Sequence, residues 1–244
     1  MSFNGKSILV FAHDYETTGL DVPTLGVLQA ALCFATLHQD GTYDLHEQDC
    51  QLLDPGVEIT PDATRIHGYT MLDVAGKPGW LEYLGEQFQV VNEAGCEAVV
   101  GYNSGTFDNR IAMRAGYLPH RSLDLIKTCR RLKKELGWTS AKLTESYLQL
   151  VGKPLEKAHD AMADVIATLD LIAPAIKAAP GVECLDDLIL WTVGDDGTPD
   201  MKMPWGKEKG SKLKHLEVSY VDWLLTKCDI PLTPELREGL EKCV

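Results

Sequence analysis

Two acidic residues after the first apolar segment have the types and spacing of a metal site. Residues 8–12 form the apolar run ILVFA, and Asp14 and Glu16 follow it. Side chains two positions apart on a β-strand share one face, so these carboxylates repel each other unless a cation lies between them. Carboxylate oxygens are the ligands that Mg²⁺ and Mn²⁺ prefer. A solvent-exposed strand end is the alternative interpretation of this segment.

Two later segments add acidic residues and a histidine. In VVGYNSGTFDNR, Asn103 follows a short predicted strand, and Phe107 and Asp108 begin an amphipathic helix. In KAHDAMAD, His159 precedes a predicted helix N-cap, and Asp164 lies about one turn into that helix. Taken singly, Asp108 is also typical of an acid favoured by the helix dipole, and His159 of a surface or capping histidine. Neither segment alone decides the function.

In this order and spacing, the three segments resemble the exonuclease motifs of the DEDDh (DnaQ-like) 3′→5′ exonuclease superfamily. The D-x-E-T motif matches residues 14–17, the second motif matches residues 101–108, and H-x(4)-D matches residues 159–164. The resemblance covers about residues 6–178. Within the superfamily, HDYET is most similar to exonuclease I, and the compact chain is similar to exonuclease X. The stretch SLDLIKTCRRL also resembles the DT-x-x-LAR helix of the family, with Leu125 in place of the usual threonine.

The resemblance implies an α/β, ribonuclease H-like fold with a mixed central sheet flanked by helices. It also implies a metal-dependent 3′→5′ exonuclease that hydrolyses phosphodiester bonds of single-stranded DNA and releases nucleoside 5′-monophosphates. Two Mg²⁺ ions, for which Mn²⁺ can substitute, are expected on four carboxylates: Asp14, Glu16, Asp108 and Asp164. The resemblance assigns to His159 the role of general base on the attacking water. Histidine suits this role because imidazole changes its charge near neutral pH.

Nucleic-acid contacts are expected in two parts of the chain. The resemblance places contacts with the 3′-terminal nucleotide in the first two motifs, at Thr17, Thr18, Leu20, Asn103 and Phe107. In the C-terminal part, Lys207 and Lys209 lie close to Trp205, and an aromatic residue among lysines is typical of single-strand binding by base stacking. The alternative interpretation of Trp205 is a core residue.

Composition and charge indicate which classes of partner and of cysteine chemistry to expect. The 244-residue chain has a formal net charge of −13, which by itself disfavours a polyanionic partner. However, residues 127–134 and 202–214 each contain five basic residues, and local charge matters more than the sum for a bound strand. The seven cysteines form no C-x-x-C pair, which favours reduced thiols over a disulfide framework or a structural zinc site. No stretch reaches ~18 apolar residues, so we expect a cytoplasmic protein without a membrane partner.

The element pattern predicts a large domain and a small one. We expect an exonuclease domain at residues 1–180, a linker at residues 181–200, and at residues 201–244 a module similar to the one that follows some exonuclease X-like domains. In that module, Tyr220, Trp223 and Leu224 have the spacing of one apolar, packed helix face. Strands are predicted at 7–13, 27–37, 43–53 and 97–103. Helices are predicted in the segment TPDATRIHG, with Thr60 as N-cap, and at 78–94, 106–115, 122–136, 141–151 and 160–178.

Two other functions fit the same residues. A 3′→5′ exoribonuclease, similar to oligoribonuclease or RNase T, would differ in its contacts to the 2′-hydroxyl. A non-catalytic module that binds nucleic acid or a polymerase is the second alternative, although all five motif residues expected in catalysis are present. A protein partner could also bind through the C-terminal module.

Overall fold

The computed structural model describes residues 3–119, 121–194, 202–213, 216–228, 230, 232–241 and 243. Its centre is a five-stranded sheet with the order β3-β2-β1-β4-β5. The first three strands are antiparallel, and β4 and β5 run parallel to β1. The predicted α/β class, a mixed sheet flanked by helices, is therefore confirmed. The strands are β1 Ile8–Thr17, β2 Val27–Leu37, β3 Tyr43–Leu52, β4 Ala98–Gly101 and β5 Ser122–Asp124.

The central strand, β1, is longer on its carboxyl side than its parallel neighbour. Pairing with β4 covers only Val10 to Ala12, while pairing with β2 continues to Thr17. Residues 14–16 therefore extend past the end of β4. A strand end that is paired on one side only leaves room for loops and helices to bring further side chains beside it.

Eleven helices are present in the described part of the chain. The signals for α1 are local: the Thr60 side chain accepts a hydrogen bond from the Ala63 N–H, and Gly68 ends the helix at φ +83°. The helices are α1 Pro61–His67, α2 Met71–Val74, α3 Trp80–Ala94, α4 Asp108–Arg114, α5 Leu125–Leu136, α6 Leu143–Val151, α7 Ala161–Asp170, α8 Ile172–Ala178, α9 Leu185–Gly194, α10 Val218–Thr226 and α11 Pro234–Glu241.

Alternate residues of β1 enter two separate hydrophobic cores. Val10 and Ala12 pack on one face of the sheet with residues of α7, α8 and α9. Phe11 and Tyr15 pack on the other face with residues of α3 and α4. Asp14 and Glu16 thus continue the face covered by α7, which is the face on which Asp164 arrives.

Two predicted helices differ from the observed ones. Residues 122–136 were expected to form one helix, but the first three residues form strand β5, a segment too short for strand periodicity to be visible. Residues 160–178 form two helices that meet at Leu171. Pro174 has no N–H to donate to the Asp170 carbonyl, and its ring disfavours a continuous helix there.

Half of the residues in the predicted linker at 181–200 form a helix. Residues 185–194 form α9, and its Leu185, Leu188 and Ile189 are buried in the core shared with α7 and α8. The Asp186 carboxylate also accepts hydrogen bonds from the N–H groups of Phe3 and Gly5, at 2.6 Å and 3.0 Å. Residues 195–200 lie outside the described part of the chain. The division into domains at 1–180 and 201–244 stays a prediction.

The C-terminal segment has a core of its own. Met203, Leu213, Val221, Leu224 and Leu236 are buried together. The predicted packed helix face is only partly observed, because Leu224 is buried while Trp223 is 43% exposed.

An ion pair connects this segment to α4. The Arg110 Nε lies 3.6 Å from the Asp222 carboxylate, and both side chains are mostly shielded from solvent. The cysteines of the described residues form no disulfide. Within the same residues, no helix is both long and apolar enough to span a membrane.

Candidate active site

The first site segment is held by a buried polar network behind β1. The His13 ring nitrogens form hydrogen bonds with the Tyr15 hydroxyl at 2.8 Å and with the Asn109 Oδ1 at 3.0 Å. Asn109 lies on α4, directly after Asp108. This network fixes the distance between β1 and α4, and therefore between the acids that follow His13 and Asp108.

Asp108 is the first residue of α4 and is only 4% exposed. The turn that leads to it is shaped by Asp124, whose carboxylate accepts hydrogen bonds from the N–H groups of Asn103 at 2.7 Å and Gly105 at 3.1 Å. These bonds hold Asn103 at φ +61°, a conformation that asparagine tolerates better than most residues. The predicted first-turn position of Asp108 is thus observed, at the buried end of the helix.

Asp164 reaches the site because the N-terminus of α7 is anchored twice. Asp160 caps the helix by accepting a hydrogen bond from the Ala163 N–H at 3.1 Å. The Gln29 side chain accepts another from the Ala161 N–H at 3.1 Å. Gln29 is the β2 residue paired with Glu16, so the strand next to the one that carries Glu16 receives the helix that carries Asp164.

His159 lies on the loop before α7, as the sequence requires if it is to approach Asp164. Its φ is +70°, and its N–H donates a hydrogen bond to the Asp164 carboxylate at 3.2 Å. Its side chain is exposed. Ligand atoms of Glu16, His159 and Asp164 all lie within 4.8 Å of one another. This is the group of potential metal-binding side chains found in the described residues; it does not include Asp14 or Asp108.

The charges of the four carboxylates nevertheless act on one another's pKa values. Burial raises the pKa of Asp14 well above its ordinary range, and the charges of Asp108, Asp164 and Glu16 raise it further. Burial, with repulsion from Asp164 and Asp108, raises the pKa of Glu16 to about 8. Burial likewise raises the pKa of Asp108 to about 7 and that of Asp164 to about 6. Four acids that disfavour one another's ionisation form a site whose ionised state requires a compensating positive charge.

The donor set fits a divalent cation. Oxygen ligands from carboxylates suit hard ions such as Mg²⁺ and Mn²⁺. The Asp164 Oδ1 atom is buried and has no hydrogen-bond partner, although its Oδ2 is bound by the His159 N–H. A buried anionic oxygen without a donor is costly, and a cation would satisfy it.

Comparison with known proteins decides the family. The family RNase_T, described as exonuclease, matches residues 11–172. The chain belongs to the RNase_T exonuclease family. The match includes all three motifs and therefore every acid of the candidate site. No curated relative matches the chain.

The solved structures similar to this exonuclease-family chain include exonuclease I. The zinc-bound complex of E. coli exonuclease I with single-stranded DNA has a TM-score of 0.61 at 20% identity and covers 79% of this chain and 44% of its own. E. coli exonuclease I with a labelled dT13 oligonucleotide has a TM-score of 0.60 at 17% identity, covering 94% and 61%. Exonuclease I from Methylocaldum szegediense has a TM-score of 0.58 at 21% identity, covering 78% and 44%.

The similarity to exonuclease I concerns the fold. The chain spans between 44% and 61% of the length of these exonuclease I chains. At these identities the shared feature is the mixed sheet with flanking helices, which is the ribonuclease H-like fold expected from the sequence.

Among the residues predicted to touch nucleic acid, those after β1 form a tight loop. The Thr17 hydroxyl donates to the Gly19 carbonyl at 2.8 Å, and the Thr18 hydroxyl accepts from the Gly26 N–H at 3.0 Å. Arg114 of α4 donates to the carbonyls of Val22 and Leu25 at 2.6 Å and 2.7 Å. The loop is thus anchored at both ends.

Leu20, at the tip of this loop, is 85% exposed. An exposed leucine on an anchored loop has a free apolar surface. Phe107, by contrast, is half-buried against the core that contains Phe11, and the Asn103 side chain accepts a hydrogen bond from the Thr106 hydroxyl at 3.2 Å. Lys207 and Lys209 are exposed in the C-terminal segment.

Sequence reasoning missed several residues that shape the site. Gln29 and Asn109 are examples, because each acts through a partner distant in the chain. His67 is a third: burial and the nearby charge of His159 lower its pKa, so the two histidines are neighbours. The His67 ring stacks on Tyr69 with centroids 5.4 Å apart, and its Nε2 is buried without a hydrogen-bond partner. The short helix signal around Thr60 predicts α1, but not that this helix ends beside the site.

Proposed function

We propose that this member of the RNase_T exonuclease family is a metal-dependent 3′→5′ exonuclease that acts on single-stranded DNA and releases nucleoside 5′-monophosphates. The observation that carries the proposal is the convergence of Glu16, His159 and Asp164 within 4.8 Å, with the charges of buried Asp108 and half-buried Asp14 acting on the same group. That exonuclease I has been solved with single-stranded oligonucleotides supports a single-stranded substrate.

The acids are the proposed metal ligands. Asp14, Glu16, Asp108 and Asp164 hold two Mg²⁺ ions, for which Mn²⁺ can substitute. When bound, a pair of such ions favours deprotonation of the attacking water and stabilises the charge on the leaving oxygen. The orphaned Asp164 Oδ1 and the mutual repulsion of the acids are the observations that support this assignment.

His159 is the proposed general base. Its backbone is fixed by the hydrogen bond to Asp164, while its side chain is exposed to solvent. The imidazole takes a proton from the attacking water and passes it to solvent. Because the ring is close to Glu16 and Asp164, a strand whose scissile phosphate reaches these acids also comes within reach of the base.

The terminal nucleotide is proposed to lie on the loop after β1. Leu20 packs against its base, and the backbone at Thr17 and Thr18 borders its sugar. Asn103 and Phe107 border the opposite side of the site. Lys207 and Lys209 contact phosphates further from the 3′ end, which compensates locally for the acidic charge of the whole chain.

A 3′→5′ exoribonuclease is the second candidate, because the matching family is itself named RNase_T. The two candidates share the acids and His159, and differ only in whether a 2′-hydroxyl is required or tolerated. A non-catalytic binding role is disfavoured by the presence of all five motif residues.

The test is degradation of 5′-labelled single-stranded DNA and RNA of equal sequence, with Mg²⁺ and with a chelator. We expect a metal-dependent ladder that shortens from the 3′ end, nucleoside 5′-monophosphates as products, and protection by a blocked 3′ end. Glu16→Gln and Asp164→Asn are expected to abolish cleavage, while Glu93→Gln, at an exposed position on α3, is expected to leave it unchanged. Cleavage that persists in chelator, or in both site variants, would contradict the proposal.

A further inference from the structure

The C-terminal segment contains an aromatic cavity that the proposed catalytic reaction does not use. Its volume is about 620 Å³, and it is lined by Trp205, Lys207, Tyr220, Trp223 and Ile230 among others. Trp223 is 43% exposed and Ile230 is 50% exposed, so this segment leaves large apolar surface uncovered beside its own core. A cavity with aromatic walls and a cation at its rim is suited to a flat, electron-rich ligand.

The aromatic rings of the cavity are pre-arranged. Tyr220 and Trp223 are one helical turn apart on α10, and their rings are nearly parallel, at 11°, with centroids 5.9 Å apart. The Lys207 Nζ lies 4.6 Å from the centre of the Tyr220 ring. A Cβ at Gly206, where φ is +79°, would lie 3.0 Å from the Tyr220 hydroxyl, so the loop approaches the ring closely. The exposed surface of Trp223 is therefore the part of this stack open to a ligand.

The loop that contributes Trp205 and Lys207 to the cavity is basic, whereas the whole chain is acidic. Although the protein carries −13, residues 202–212 contain four lysines and a single acid, Glu208. Lys202, Lys207 and Lys209 are exposed. Lys207 in the cavity wall, with exposed Lys209 two residues later in the same loop, complements a ligand that combines flat bases with phosphates.

The cavity is also close to the helix that carries a site acid. Asp222, adjacent to Trp223 in α10, pairs with Arg110 at 3.6 Å, and Arg110 follows Asp108 by two residues on α4. The ion pair thus places α10, which carries Trp223, beside the helix that begins with Asp108.

We propose that this cavity is a second nucleic-acid subsite, in which a base upstream of the 3′ end stacks on Trp223 while Lys207 and Lys209 contact the neighbouring phosphates. The inference rests on the proposed function for the identity of its ligand, a single strand. It adds a site outside the exonuclease motifs and predicts that affinity rises sharply when the strand becomes long enough to reach α10.

The first test compares Trp223→Ala with Trp223→Phe, which retains an aromatic ring. The matched control is Leu190→Ala, which removes an exposed apolar side chain from α9. Affinity for single strands of increasing length is measured by fluorescence anisotropy in chelator, so that no cleavage occurs. Loss of one stacked base is expected to weaken binding of long strands roughly tenfold in Trp223→Ala, and much less in Trp223→Phe. Very short oligonucleotides are expected to bind equally to all variants.

The second test uses the unaltered protein, so that it does not depend on the variant folding. A single abasic position is moved along a long strand, and one position is expected to cause the same roughly tenfold loss. With Trp223→Ala, that abasic position is expected to cause no additional loss. If no abasic position matters, or if Trp223→Ala binds long strands like the wild type, the subsite is refuted.

Failure of the proposed function gives a different pattern. A wild-type protein that does not cleave, but whose long-strand affinity depends on Trp223 and one base, supports the subsite and refutes the catalytic proposal. A wild type that cleaves, with affinity independent of Trp223, refutes the subsite alone.

Discussion

Neutralising Glu16 is expected to stabilise the metal-free protein at neutral and basic pH. Glu16 is 8% exposed, and burial together with the charges of Asp164 and Asp108 raises its pKa from 4.5 to about 8. Between these two pH values the folded state holds a proton that the unfolded state has lost. Stability contributed by this group is therefore complete below about pH 4.5 and decreases as pH rises towards 8.

The magnitude follows from the size of the pKa change. Each unit corresponds to about 1.4 kcal/mol, so relative to pH 4.5 the raised pKa of Glu16 costs about 3 kcal/mol of folding free energy at pH 7, where the folded state still holds the proton, and about 5 kcal/mol above pH 8, where Glu16 is ionised. Glutamine has nearly the same shape and does not ionise. Glu16→Gln is therefore expected to remove this pH-dependent loss, and to leave the stability at pH 4.5 almost unchanged.

The assay is urea unfolding in chelator at several pH values from 4.5 to 9, for the wild type, Glu16→Gln and the exposed control Glu93→Gln. The difference between wild type and Glu16→Gln should grow with pH, and it should shrink when saturating Mg²⁺ is added, since an ion that binds the folded state stabilises the wild type. Parallel pH profiles of the wild type and Glu16→Gln would refute the electrostatic argument, whatever their absolute stabilities.

Three further substitutions test the supports of the site. His159→Ala is expected to lower single-turnover cleavage roughly 10²–10⁴-fold; unchanged Mg²⁺ affinity, measured by calorimetry, would separate a base from a ligand, and near-normal turnover would exclude the base role. Gln29→Leu leaves the buried Ala161 N–H without its acceptor, and we expect the free energy of unfolding in urea to fall by about 1–3 kcal/mol and Mg²⁺ binding to weaken. Stability equal to that of the wild type would contradict the role of Gln29 in anchoring α7. Arg114→Ala removes two hydrogen bonds to the loop after β1 and is expected to lower the free energy of unfolding by about 3 kcal/mol and to speed proteolysis of that loop. An unchanged digestion rate would mean that the loop keeps its conformation without Arg114.

The parts of the fold that were predicted correctly are those with local signals. Thr60 and Gly68 mark both ends of α1, and the alternation of Asp14 and Glu16 on β1 follows from the two-residue period of a strand. Strand β5 has three residues, so it cannot display that period, and its position depends on pairing with β4. The position of α9 was missed because a glycine- and aspartate-rich stretch after it is typical of a linker.

For the candidate site, the sequence predicted the acids and His159, but not the groups that hold them in place. Gln29 and Ala161 are 132 positions apart, and no local pattern joins them. Asp124 was recognised only as part of a helix motif, whereas its carboxylate organises the turn at Asn103. Periodicity predicted that Trp223 lies on a packed helix face, but the side chain is 43% exposed. Spacing shows which residues share one side of a helix, and it does not show whether another surface covers that side.

The distances along the chain between the site acids imply an order of assembly. Strands β1 to β3 are joined by short connections, so the segment with Asp14 and Glu16 can form early, but Asp164 arrives from about 150 residues later, with α7. We therefore expect repulsion between the acids to be largely absent from the folding transition state and to arise when α7 docks on the sheet. Mg²⁺ should therefore slow unfolding far more than it speeds refolding. Stopped-flow kinetics with and without the ion would measure this, and an equal effect on both rates would mean that the acids meet before the barrier.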